Sequence, residues 1–191
     1  LEGLISPSDV QLKQLRMSGI KWLENTSELV SSLQQAAQSL NTLSIDELDV
    51  NNGQIIQIER KPYWQLSGVN IEGEQLSLIK DGKAGFFNGQ LEVTANNASL
   101  DQLLTTQAMI RASSQQGDVR LERAFLPLPS GYIEANGKWD QTTLSAPWAF
   151  SLHGDGIPLE QAWIQSRLPF SLRGLAEIEL DLSGLSGDYS M

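Results

Sequence analysis

His153 is the single histidine of the chain, and there is no cysteine. Thiolate nucleophiles, disulfides and multi-histidine zinc sites are therefore excluded, which leaves all-oxygen Ca²⁺ or Mg²⁺ binding as the metal chemistry the composition allows. His153 alternates out of phase with Phe150 and Leu152, so it is expected to face water, and no Ser or Asp spacing joins it to a triad. Glu177, Glu179 and Asp181 share one face of a predicted strand, about 6–7 Å apart. A glycosidase-type pair needs two carboxyls about 5–10 Å apart across a cleft, one of them in an apolar pocket, and the pattern supplies no such pocket. The run Asp81-Gly82-Lys83-Ala84-Gly85 lacks the order of a phosphate loop and precedes no helix. Asp118, Asp155 and Asp188 have no calcium-loop spacing. The expectation is a non-enzyme with no catalytic residue, no metal and no cofactor.

Aromatic side chains carry more information. Trp64, Trp139, Trp148 and Trp163, with Phe86, Phe125 and Phe150, either line a ligand groove or fill a core. The chain has 191 residues, and 13 Lys+Arg against 23 Asp+Glu give a net charge of −10. That balance argues against nucleic acid as a partner, because counterion replacement needs clustered cations. Hydrophobic residues at 40% and charged residues at 19% are ordinary for a folded domain, and the length suffices for a core without disulfides. No run approaches the roughly 18–20 apolar residues of a membrane-spanning helix, and no signal peptide is visible. The chain opens Leu1-Glu2-Gly3 and stops at Ser190-Met191 without a closing element, so both ends read as cuts within a longer protein.

Two periodicities divide the chain. From Leu29 the apolar residues Val30, Leu33, Ala36, Ala37 and Leu40 fall at steps of three and four, which predicts a helix over 22–40, capped by Thr26 or Ser27. A shorter helical piece is expected over 9–17. Beyond Leu43 the period becomes two. Leu43 and Ile45, then Leu48 and Val50, alternate with a parity flip at Asp46-Glu47 that predicts a bulge. Asn51-Asn52-Gly53 reads as a hairpin turn, with Ile56 on the return strand and Pro62 interrupting it. Trp64–Leu66, Val69–Ile71 and Leu76–Leu78 read as short separate runs, followed by an Asp81-Gly82 turn. Clean alternation then recurs through Leu91, Val93, Val119, Leu121, Ile133, Phe150, Leu152, Ile178 and Leu180, the mark of antiparallel strands with one dry and one wet face.

An offset of 59 places Leu91 on Phe150, Val93 on Leu152, Leu100-Asp101-Gln102 on Leu159-Glu160-Gln161, Val119 on Ile178 and Leu121 on Leu180. Each unit reads as strand, short helix (99–105 or 158–164), strand. The predicted fold is mainly β with α: repeated antiparallel strands forming a curved, groove-like sheet, short helices between units and an N-terminal helical segment. The predicted division is a helical segment at 1–41 and a repeated β domain at 42–191.

The stretch Leu43-Ser44-Ile45-Asp46-Glu47-Leu48-Asp49-Val50-Asn51-Asn52-Gly53-Gln54-Ile55, the tail from Leu168 to Gly184 and the segment Gly117–Gly137 followed by Trp139-Asp140 resemble repeated strand motifs of the AsmA family. The resemblance covers about 43–184. It implies a Gram-negative inner-membrane protein whose body lies on the periplasmic side, held by an anchor this sequence lacks. It also implies β groove units with an apolar inside, acting in outer-membrane biogenesis or phospholipid transport.

The functional expectation joins the two lines of reasoning. The groove lining is expected at Leu91, Val93, Val119, Leu121, Ile133, Phe150, Leu152, Ile178 and Leu180, with phospholipid acyl chains as the ligand and other envelope proteins as partners. Rival readings are a scaffold for outer-membrane protein assembly, with the dry face covered by protein, and a carbohydrate-binding β domain with tryptophans on its outer face.

Overall fold

The computed structural model describes residues 8–23, 31, 35, 38–57, 63–100, 103–160 and 169–187. Among the described residues, ten strands form one sheet: β1 (Ser8–Ser18), β2 (Lys21–Leu23), β3 (Leu40–Gln57), β4 (Trp64–Lys80), β5 (Lys83–Leu100), β6 (Leu103–Gln115), β7 (Asp118–Leu128), β8 (Gly131–Asp140), β9 (Pro147–Pro158) and β10 (Leu175–Leu185). Their order is β1-β3-β4-β5-β6-β7-β8-β9-β10, with β2 also on β3. From β3 onward every neighbour is antiparallel and adjacent in sequence; β1 and β2 lie parallel to β3. Tight turns set this meander. Asp81-Gly82 and Gln116-Gly117 both take positive φ at each residue, the conformation that matches the twist of a two-residue hairpin.

The α component of the prediction is overturned. The segment 9–17 is strand β1, not a helix. Its apolar residues Val10, Leu12, Leu15 and Met17 sit opposite Leu43, Ile45, Leu48 and Val50. A change of parity midway turns two period-two pairs into a spacing of two, three and two, which imitates a helix. The helix expected at 99–105 is replaced by the end of β5 and the start of β6, two strands of one hairpin. Leu159 and Glu160 form a turn after β9, and the rest of the expected helix to 164 lies outside the described residues. Most of 22–40 also lies outside them. Its first two residues belong to β2, and Leu40 begins β3. Ser31, Gln35, Gln38 and Ser39 are helical, but no complete helix stands among the described residues.

The expected hairpin at Asn51-Asn52-Gly53 is likewise absent: β3 runs straight through it. Asn52 does take φ 54°, and its N–H donates to Asn70 Oδ1 at 3.1 Å. Gly19 (φ 67°), between β1 and β2, and Gly68 (φ 59°) and Gln107 (φ 58°), on β4 and β6, lie at corresponding heights. A second pair of left-handed residues, Gln75 (φ 50°) and Gly89 (φ 113°), crosses β4 and β5. These residues cut β4 into short pieces within one 17-residue strand, which is why the sequence reads as separate runs. Each also inverts the alternation, so that Val69 and Leu76 are both buried while Ser67 and Glu74 on the other side of each break are not. Irregular residues of this kind bend a strand and sharpen its twist.

The offset of 59 holds for one strand and fails for the next. Leu91 and Phe150 lie in one cross-strand row, and Val93 and Leu152 in another. Leu121, however, belongs to the row of Phe150, whereas Leu180 belongs to the row of Leu152. Three strands, β5 to β7, correspond to the two described strands β9 and β10, so the apparent units differ by a strand.

Candidate functional site

Directly paired residues of neighbouring strands point to the same face. Following the register from strand to strand gives Met17, Val50, Ile71, Val93, Ile110, Ala124, Ala135, Leu152 and Leu180 as one unbroken row across β1 and β3–β10. The adjoining row on that face is Leu15, Leu48, Gly73, Leu91, Ala112, Leu121, Gly137, Phe150 and Leu182. Neither contains a polar side chain. On the opposite face, Arg16, Asp49, Glu72, Glu92, Arg111 and Arg123 form a wholly charged row. The sheet is thus amphipathic across its whole width. Eight interstrand spacings of about 4.8 Å make the apolar path about 38 Å long.

All nine residues expected to line a groove lie on this face. Leu91, Val93, Leu121, Phe150, Leu152 and Leu180 belong to the two rows. Val119 is opposite Trp139, and Ile133 is opposite Gly154, which in turn faces Ile178. The expectation omitted Ile110, because the supposed helix at 99–105 obscured β6, although the alternation Ala108, Ile110, Ala112 is present in the sequence. It also omitted Trp139, Trp148 and Leu182, whose parity places them on the same strand faces as Ile133, Phe150 and Leu180.

Burial varies along the path. At the β3–β5 end, Ile45, Val50, Val69, Leu76, Ile79 and Ala95 are buried. Leu128 and Ile157 form a small buried cluster with Leu126, Ile133 and Ala176 at one rim. Toward β10 the face opens: Ile178 and Leu180 are 43% exposed, and Leu182 is 49% exposed. Phe150, Trp139 and Ile110 are exposed as well. Trp148 and Phe150 pack ring to ring at 5.8 Å, and Trp139 Nε1 donates to Ser186 Oγ at 2.9 Å. The indoles of Trp139 and Trp148, direct partners, therefore stand on the apolar face, contrary to the carbohydrate-binding expectation. Trp163 lies outside the described residues.

The polar face holds ionic and aromatic contacts. Arg111 donates to Glu92 Oε2 from Nε at 2.9 Å and from Nη2 at 2.7 Å, and the carboxylate's hydrogen bonds and charge raise the Arg111 pKa further. Arg123 Nε donates to Glu134 Oε1 at 2.7 Å and its guanidinium lies 4.5 Å from the Phe125 ring centre. His153 sits on this face between Glu134 and Glu179, with the Tyr132 ring 5.7 Å away, so its expected orientation is the observed one. Glu177, Glu179 and Asp181 are exposed, and Ser151 Oγ donates to Asp181 at 2.6 Å. Hydrogen bonds from Thr42 and Asn41 lower the Asp9 pKa, those from Thr142 lower that of Asp140, and the Gly174 N–H lowers that of Glu160. These are surface ties between elements. No group of three or more metal-ligating side chains occurs among the described residues, and no described helix is long and apolar enough to cross a membrane.

A model of the AsmA family matches residues 1–191. The chain is 26% identical over 147 residues to the AsmA family protein YicH of Escherichia coli (strain K12), a match that takes in 76% of this chain and 25% of that protein. The chain thus spans about a quarter of the length of the curated relative it matches. No solved structure matches it.

Proposed function

The chain belongs to the AsmA family, and from that footing we propose that it is a periplasmic part of an inner-membrane-associated envelope protein that carries phospholipid acyl chains along an apolar β surface. Family membership supports a role in the envelope or in outer-membrane biogenesis in general. The finer reading rests on one observation, the two apolar rows that cross nine strands and stay open to solvent at Leu180 and Leu182. Each CH₂ of a lipid tail left in water costs about 0.8 kcal/mol. A tail that slides from one apolar row position to the next avoids that cost at every step, so the barrier to crossing an aqueous gap falls without any catalytic group or metal. The open part of the path, from Ile110 on β6 to Leu180 on β10, covers four interstrand spacings, about 19 Å, which matches the length of one acyl chain, half of the roughly 30 Å hydrocarbon core of a bilayer.

The tryptophans give the test. Phospholipid brominated along its acyl chains quenches an indole it touches. Presented in mixed micelles, it is expected to quench the chain's fluorescence, and Trp139→Phe with Trp148→Phe removes most of the effect. Quenching unchanged in that double variant would contradict an acyl chain lying on this face.

A further inference from the structure

The connection from β8 to β9 is a turn fastened on both sides. The Thr142 N–H and hydroxyl both donate to Asp140 Oδ1, and the Ala146 N–H donates to the Thr143 carbonyl at 3.1 Å. Just past β10, the Ser186 and Gly187 N–H groups donate to the Ala146 and Ser145 carbonyls at 3.1 and 3.0 Å. Leu144 stands at the tip of this turn, 93% exposed. Turns ordinarily carry Gly, Pro, Asn, Asp or Ser; this one holds a leucine out into solvent on a tied backbone. Behind it, Trp139 and Trp148 form the last pair of the β8–β9 ladder. The exposed Trp139 indole donates to Ser186 at 2.9 Å, so its polar tip lies at the junction that fastens the turn.

The same rim carries cations. The β4–β5, β6–β7 and β8–β9 turns all lie along it. The Gly117 N–H donates to the Phe87 carbonyl at 2.8 Å and the Gln141 N–H to the Gly117 carbonyl at 2.9 Å, which joins the three hairpins there. Lys80 and Lys83, both exposed, are direct partners across the Asp81-Gly82 turn, a like-charge opposition that is unfavourable by itself. Lys138 lines a cavity of about 510 Å³ together with Thr142 and Pro147 of the β8–β9 turn. Two carboxylates of this cavity are already engaged, Asp118 by Arg120 at 3.2 Å and Asp140 by Thr142.

We propose that this rim docks on the headgroup layer of a membrane that contains anionic phospholipid, with Leu144 entering the interface and Lys80, Lys83 and Lys138 meeting phosphates. An exposed apolar tip, an indole with one apolar and one polar end, and flanking lysines are the parts of an interfacial contact. A chain of net charge −10 is repelled as a whole by an anionic surface. A local cationic rim therefore sets the orientation in which it can approach. The inference goes beyond the acyl-chain reading, because it concerns the membrane surface and stands whether or not a lipid tail lies on the apolar face. Where both hold, docking brings Trp148 and Phe150 of the apolar face close to the bilayer.

The test floats the purified chain with vesicles of phosphatidylcholine mixed with phosphatidylglycerol, at low and at high salt. Binding is expected at low salt and falls as salt screens the lysines. Leu144→Ser weakens it about threefold to tenfold, the loss of one inserted side chain. Lys80→Gln with Lys83→Gln weakens it about fivefold per charge removed. Lys13→Gln with Arg16→Gln, an equal change of charge placed on β1, leaves it unchanged. The chain has no cysteine, so a polarity-sensitive dye on Leu144→Cys reports the tip alone and is expected to shift to the blue on the vesicles. Equal binding to vesicles of phosphatidylcholine alone would overturn the part given to the lysines. Binding that resists both the Leu144 and the lysine changes, or no binding at all, would overturn the docking. If quenching by brominated lipid in mixed micelles persists in that case, the acyl-chain reading survives. Binding lost in Leu180→Ser with Leu182→Ser but kept in Leu144→Ser would move the contact to the apolar face and overturn the rim alone.

Discussion

Gly137 and Phe150 are direct cross-strand partners on β8 and β9, and the phenyl ring lies over the glycine: a Cβ placed on Gly137 would stand 2.3 Å from Phe150 Cδ1 and 2.7 Å from the Ala149 carbonyl oxygen. The missing side chain lets the ring cover backbone within the apolar row and pack against Trp148. Gly137→Ala is expected to lift the ring off the sheet and lower stability by about 1–3 kcal/mol, the usual range for overpacking. Thermal unfolding followed by circular dichroism checks this, with a fall of roughly 2–4 °C per kcal/mol.

Gly89 is constrained twice, by φ 113° and by the Glu74 and Gln75 carbonyl oxygens, 2.5 and 2.8 Å from where a Cβ would be. Gly174 also has positive φ, at 117°, but nothing within 4 Å of that position. Gly89→Ala should therefore cost at least about 2 kcal/mol and clearly more than Gly174→Ala. Denaturant midpoints of the two variants compare them directly.

The two ends of the apolar face should respond oppositely to truncation. Leu76 is 2% exposed, and Leu76→Ala is expected to cost about 2–5 kcal/mol through the cavity it leaves. Leu180 and Leu182 are 43% and 49% exposed, and changing both to Ser should cost no more than about 1 kcal/mol. The same double change should sharply reduce quenching by brominated acyl chains. Parallel measurements of unfolding and quenching separate folding from binding.

Asp140 Oδ1 accepts from the Thr142 N–H at 2.8 Å and from the Thr142 hydroxyl at 2.5 Å, which holds its pKa below the ordinary 3.8. With the folded-state value depressed, the tie contributes above the unfolded-state value and is lost as pH falls through the lowered one. Thr142→Ala should move the Asp140 midpoint up toward 3.8 and abolish part of the stability difference between neutral and acid pH. A carbon-detected carboxyl titration reads the midpoint.

The membership of the dry face was legible because alternation survives even where the strand is irregular. Leu91, Val93, Phe150 and Leu152 could be assigned by parity alone, and pairing then placed them in shared rows. Helices were expected where left-handed residues and turns disturb that alternation. Val10 to Met17 imitates a helical step because β1 follows the inversion of β3. Asn52-Gly53 has the chemistry of a turn, but the positive φ is spent on a bend within one strand. The end of the β6–β7 pairing at Met109 and Phe125 was hidden for a different reason: beyond it β6 stays with β5 and β7 with β8, a divergence of two hairpins that no local pattern encodes.

The central claim is that lipid lies on the apolar face and not on the charged one. Photo-crosslinking residues placed singly at Val93, Leu121 and Leu152, with Thr94, Arg120 and Ser151 on the opposite face as controls, would be tested in the full-length protein in its native membrane setting with labelled phospholipid. The account predicts adducts at the first three positions and none at the controls. A folded, expressed protein with no adducts, or with equal adducts on both faces, would contradict it, and the absence of adducts would favour a scaffold whose dry face is covered by protein.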